Sequence, residues 1–232
     1  MFNKTPSIEF ISKSPGILSV NECLPRPYSS FIPKWWSDKK SDLNTKSIKN
    51  CPSFPSFFSE SYVIPMWADS TFYVDGDDIN IETPRNDFFT WEYHNRDQFL
   101  NFAPKNISEG ISQIIKAVCP WNIITSKGYS VYQLPAVFDF NENFEVMTGT
   151  IRTDIHHEIN QQMMIKKRDH PYEFTIKRGE PLAIYIPYKR EKFDYSHRYA
   201  TEKDIQKFNN MIFRNFSKFS GGYKSYIKEI GE

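Results

Sequence analysis

Proline decides what the first quarter of this chain can become. Pro6, Pro15, Pro25, Pro27, Pro33, Pro52 and Pro55 remove backbone donors and forbid long helices there. The same stretch is not a solvated tail, because Leu24, Tyr28, Phe31, Ile32, Trp35, Trp36, Phe54, Phe57 and Phe58 are threaded between the prolines. Disordered segments are poor in such residues. Residues 1–61 are therefore expected to form an extended arm packed on the body. Ser37 to Asn50, polar and charged, is read as a surface loop or short helix.

From Tyr62 the pattern turns to short strands. Aromatic residues reach 16% of the chain, with 20 Phe and 13 Tyr, while Gly numbers only 9. That balance suits a β-rich core and excludes coiled-coil and collagen-like chains. Strands are expected over Ser61–Ala68, Thr71–Val74, Ile79–Glu82, Asp87–Tyr93 and Ile111–Val118. Asp75-Gly76-Asp77-Asp78 signals a hairpin between the second and third. Trp121–Thr125 and Tyr129–Leu134 read as two strands about the turn at Gly128, followed by Phe144–Thr153, His157–Lys166 and Tyr172–Ile176. Pro181 to Pro187 is a nearly continuous apolar run, the mark of a strand covered on both faces. The fold expected is mainly β, with a β-clip or jelly-roll-like body over residues 62–192.

Residues 193–232 change period. Thr201-Glu202-Lys203-Asp204 fits a capping box, and Ile205, Phe208, Ile212, Phe216 and Phe219 recur at helical spacing. An amphipathic helix is expected, its stripe packed on the β body and its stop at Gly221-Gly222, with a short second helix reaching Ile230.

The formal charge is +1, which gives no general attraction to nucleic acid or anionic membrane. Cys23, Cys51 and Cys119 form no metal-binding spacing and are read as free thiols. The opening residues lack a signal-peptide core, and no apolar run approaches the roughly 18 residues of a membrane span. The expected setting is a cytoplasm or a particle, without a membrane.

Two sets of anchors carry a resemblance. Gly149-Thr150-Ile151-Arg152-Thr153-Asp154 is followed by Glu158-Ile159-Asn160 and then Arg178-Gly179-Glu180-Pro181-Leu182-Ala183-Ile184. This order resembles the β-clip body of the dUTPase and dCTP deaminase superfamily. That resemblance implies a G-x-I-D-x-D-Y strand in which the first Asp orients the attacking water. Here that position is Arg152, the sugar-packing Tyr is replaced by Ile155, and only Asp154 is kept. The chain as a whole, with its Pro33-Lys34-Trp35-Trp36 element, also resembles an uncharacterised family of marine T4-like bacteriophages and some bacteria.

Candidate chemistry concentrates in Asp154-Ile155-His156-His157-Glu158. On a strand, Asp154, His156 and Glu158 would share one face. With His94 or His170 they would form a metal-binding set, and His156-x-Glu158 would suit Fe2+ with 2-oxoglutarate. A dUTPase-like reading would instead call for Mg2+ with nucleotide. Lys166, Lys167, Arg168, Lys189 and Arg190 form a candidate basic patch, read mainly as a solvated sheet edge, so a nucleic-acid partner is not expected. Trp35 and Trp36 are candidate partner anchors, since Trp is enriched where interfaces concentrate their binding energy. The leading expectation is a phage-type, non-enzymatic protein with no cofactor, binding a protein partner or further copies of itself, with a trimer as one arrangement. The role would be structural or in host takeover. An iron oxygenase and a degenerate dUTPase-like nucleotide protein are the alternatives.

Overall fold

The computed structural model describes residues 5–37, 53–84 and 90–216. The chain divides into two compact units, residues 1–37 with 57–190 and residues 38–56 with 191–232. The first unit is mainly β. In chain order its strands are β1 (Ile8–Ser12), β2 (Arg26–Pro27), β3 (Tyr62–Pro65), β4 (Ser70–Asp75), β5 (Asp78–Glu82), β6 (Trp91–Tyr93) and β7 (Ile111–Ala117). They continue with β8 (Trp121–Thr125), β9 (Tyr129–Pro135), β10 (Phe144–Val146), β11 (Gly149–Ile151), β12 (Gln161–Lys166), β13 (Tyr172–Ile176) and β14 (Pro181–Lys189). The helices α1 (Lys34–Ser37), α2 (Ser53–Glu60) and α3 (Lys105–Ser108) are short, and α4 (Glu202–Phe216), in the second unit, is longer.

All pairings among these strands are antiparallel, and none of the sheets closes into a barrel. The largest sheet runs β11-β9-β14-β3-β2; the others run β10-β12-β7-β6, β13-β4-β5 and β1-β8. The apolar run of β14 explains its place. It pairs with β3 on one side and β9 on the other, and Leu182, Ala183, Ile184 and Tyr185 are fully buried. Each Leu or Ile buried this way contributes about 1.5–3 kcal/mol relative to exposure. The Tyr185 hydroxyl donates to Gln133 Oε1 at 2.8 Å and accepts from Gln161 Nε2 at 2.7 Å. This buried chain ties β14 to β9 and to β12 of the four-stranded sheet. Burial pushes the Tyr185 phenol well above its ordinary pKa, so the hydroxyl keeps its proton.

The expected β4–β5 hairpin is present, with Gly76 at φ +59° in the turn, a conformation that suits glycine. Three local expectations are corrected. β8 and β9 do not pair with each other: β8 pairs with β1 and β9 with β14 and β11. Phe144–Thr153 is not one strand but two, in different sheets. Met147 marks the crossing, its N–H donating to Gln162 O at 2.8 Å while its own carbonyl accepts from Gln133 Nε2 at 3.1 Å. The strand expected over His157–Lys166 begins only at Gln161.

Residues 5–37 contribute β1 and β2 to the sheets, and Cys23 and Tyr28 are buried. Trp121 Nε1 donates to Cys23 O at 3.2 Å, tying the N-terminal segment to β8. In the second unit, the cap of α4 is as expected: Asp204 N donates to Thr201 Oγ1 at 3.3 Å and Thr201 N donates back to the Asp204 carboxylate at 2.8 Å. Of its apolar stripe, Ile205 and Phe208 are 48% and 52% exposed. Most of Ser37–Asn50, the start of Asp87–Tyr93, Cys51, Phe219, Gly221-Gly222 and the short helix to Ile230 lie outside the described residues.

Candidate functional site

Asp154 sits in a turn, not on a strand. Ile155 N and His156 N both donate to Arg152 O, at 2.9 and 2.8 Å, and these bonds curl residues 152–156 away from extended geometry. The alternation that would have put Asp154, His156 and Glu158 on one face is therefore lost. The Asp154 side chain, only 6% exposed, meets Arg190 in two parallel bonds of 2.8 and 2.6 Å and accepts Gly128 N–H at 2.9 Å. Arg190 Nη1 also donates to Tyr129 O and Ser130 Oγ, and its backbone N–H to Gly128 O at 2.9 Å. The group clamps the end of β14 to the β8–β9 turn. The Arg190 guanidinium, helped by the Gly128 amide, holds the Asp154 carboxyl well below the usual carboxylate range.

The other members of the cluster point elsewhere. His156 and Glu158 are exposed, with Glu158 near Lys13 at 4.0 Å. His157 Nδ1 lies 2.9 Å from Thr153 O. His94 follows β6 and bonds Gln98 Oε1 at 2.9 Å, while His170 is exposed before β13. Among the described residues, no three His, Cys, Asp or Glu side chains come together as a metal-holding group. Arg152 and Ile155 are both exposed. Cys119 is held by burial in its thiol form, its pKa pushed up to about 12.

The basic residues are dispersed among protein acceptors. Lys166 pairs with Glu145 at 3.3 Å and Lys167 with Asp77 at 2.8 Å. Arg168 donates to Asn143 at 2.7 Å and stacks 4.2 Å from the Tyr172 ring centroid. Arg190 is spent on Asp154, and Lys189 is exposed at the end of β14. Surface pairs of this kind contribute about 0–1 kcal/mol each.

Trp35 and Trp36 lead to a different arrangement. They lie on α1, their rings 5.5 Å apart and edge to face. Trp36 packs on Phe58 and on Phe138, while Trp35 meets Phe138 at 6.3 Å and Phe140 at 5.4 Å. Trp35 Nε1 donates to Phe138 O at 3.2 Å, and the Tyr28 hydroxyl donates to Val137 O. Phe138 and Phe140 have φ of +64° and +51°. For bulky residues this left-handed conformation costs roughly 1–2 kcal/mol each. The loop is held there from below by the Tyr28 and Trp35 bonds and by ring packing. The result lifts Phe140 to 72% exposure beside a Trp35 that is 46% exposed. Asp139 lies between the two phenylalanines in sequence, its carboxyl pKa raised by partial burial; burial, helped by the Asp139 charge, pushes the Tyr28 phenol up to about 12. Phe138, Asp139 and Phe140 were not singled out in the sequence. The Phe-Asp-Phe-Asn run before β10 was the one available signal.

No protein-family model matches the chain, and no curated protein does. Among solved structures, it is similar to a dUTPase from phage phi11 of S. aureus, at 11% identity and a TM-score of 0.28, covering 40% of this chain and 81% of that one. A Staphylococcus bacteriophage 80alpha dUTPase variant with dUpNHpp gives the same figures of 11%, 0.28, 40% and 81%. A variant of the phi11 enzyme, described with a structural Mg(II) ion, matches at 10% identity and a TM-score of 0.27 over 49% of this chain and 99% of that one. Likenesses this distant carry no argument about what this chain binds or does.

Proposed function

We propose that this chain is a partner-binding protein that performs no chemistry of its own and docks through the surface formed by Trp35, Phe138 and Phe140. The observation that carries this reading is the pair of phenylalanines held at positive φ. The contacts beneath the loop sustain the cost of that conformation, and strain of this kind gathers at functional loops. Exposed aromatic side chains on a rigid base are also the residue type that interfaces use as anchors. The fate of Asp154 supports the same reading. The one acid kept from the dUTPase-like pattern is bound to Arg190 and Gly128 and offers no base to a water. The resemblance in sequence suggests a bacteriophage particle or an infected cell as the setting, with a second copy or another protein as partner.

The test is a Trp35→Ala/Phe140→Ala double variant. Assembly is measured by light scattering, and partner capture by crosslinking in the producing cell. The expected result is loss of the assembly or of the captured partner, with the thermal midpoint within a few degrees of the parent. Assembly and capture that survive both truncations would overturn the proposal, as would turnover of a nucleotide by the purified protein.

A further inference from the structure

The three-stranded sheet β13-β4-β5 has one face in the core and one in solvent. Phe72, Val74, Phe174 and Ile176 point inward and are buried. The outer face reads Glu173 opposite Tyr73 opposite Asn80, with Asp75 opposite Asp78 one step toward the turn and Thr71 opposite Glu82 one step away. A groove of about 550 Å³ crosses this face, lined by Tyr73, Asp75, Asp78, Asn80, Pro171 and Glu173 among others. Among the described residues, no lysine or arginine lines it. Arg96 and Lys167 pair with Asp77 in the β4–β5 turn, and Arg168 is held by Asn143 and by the ring of Tyr172, which also lines the groove. The groove therefore presents carboxylates around an aromatic ring on a chain whose overall charge is only +1.

We propose that this groove binds an arginine-bearing extended segment of a protein partner. The chemistry selects the occupant. A guanidinium stacks on an aromatic face and donates two parallel bonds to a carboxylate, so Tyr73 flanked by Glu173, Asp75 and Asp78 matches it in both respects. A compact ammonium uses one of these features poorly. A divalent cation needs converging carboxylates, and these acids are spread along the sheet and do not form such a group. The field is felt at the ring itself, since Glu82 and Glu173 raise the Tyr73 phenol above its ordinary pKa. The groove is an open channel across strands, which suits a chain and not an enclosed small molecule. It is built from residues other than those of the Trp35–Phe140 surface, so the two proposals fail separately.

The experiment is an amide NMR titration at physiological ionic strength with three capped peptides, Gly-Arg-Gly-Arg-Gly and its Lys and Glu counterparts. The expected result is shifts centred on Tyr73, Asn80 and Glu173 with the Arg peptide, severalfold weaker binding of the Lys peptide, and none of the Glu peptide. Glu173→Gln or Asp75→Asn should weaken the Arg peptide about fivefold, the loss of roughly one ion pair. Both residues are exposed, and an otherwise unchanged amide spectrum shows that the variant is folded. Equal affinity for Arg and Lys, shifts centred elsewhere, or binding indifferent to Glu173→Gln would each overturn the proposal.

Discussion

Two loops leave the five-stranded sheet and treat their side chains in opposite ways. The turn after β11 places Asp154 where Arg190 and the Gly128 amide meet it at normal distances. The loop after β9 holds Phe138 and Phe140 at positive φ and leaves Phe140 largely in solvent. In the first, the local geometry satisfies a charge and joins the end of β14 to the β8–β9 turn. In the second, favourable contacts beneath the loop sustain an unfavourable backbone above it. The lesson is that a conspicuous titratable cluster can be architecture, while the loop that carries the proposed docking surface is marked by strain. Three variants separate the two cases.

The largest effect is expected at the clamp. Asp154→Asn keeps the shape but removes the charge that Arg190 faces, and should lower the thermal midpoint by roughly 5–10 °C, with partner binding intact. Its pH dependence has a definite sign. The folded carboxyl titrates below the ordinary value of about 3.9, so its stabilisation is complete above that pH and disappears as pH falls through the depressed folded value. An acid melting series should show this component in the parent protein and not in the variant. If both lose stability in parallel below pH 4, the clamp is not what holds β14.

A smaller effect of opposite sign is expected in the strained loop. Phe140→Asn relieves part of a cost of roughly 1–2 kcal/mol, because Asn tolerates the left-handed region. The midpoint should rise by about 2–4 °C per kcal/mol relieved, while partner capture falls. A midpoint that drops, measured by calorimetry, would show that the exposed ring stabilises the fold. The smallest effect belongs to His156→Ala, which should move stability by no more than about 0.5 kcal/mol. Elemental analysis checks the iron-oxygenase alternative on the same sample: stoichiometric iron in the parent, lost in the variant, would break the comparison by giving the Asp154 turn a chemical role.

What the sequence revealed follows from the range of the interactions involved. β14 was legible because burial on both faces writes itself into seven consecutive residues, Pro181 to Pro187. The β4–β5 hairpin and the Thr201 cap were legible because their partners lie within a turn of one another. Strand β1 was not, because Ile8 pairs with Thr125, and nothing local marks so distant a partner. Asp154 and Arg190 were both noticed, but for separate and opposite purposes, and composition cannot distinguish a paired charge from a working one across 36 residues. Phe138 and Phe140 were missed for a different reason. Phenylalanine is a poor candidate for positive φ, so a loop that forces it there contradicts local propensity.

The place of β14 between β3 and β9 has a consequence for how the protein is made. As the chain leaves the ribosome, β2 with β3 and β9 with β11 can each form early, but no hydrogen bonds join the two pairs until residues 181–189 emerge. Until then each nascent pair presents an open edge, the template on which other chains aggregate. A stalled or truncated product ending before Pro181 would thus carry two unprotected seams. β14 works as a closing stave: its arrival, after both pairs have been made, commits the sheet to a single register.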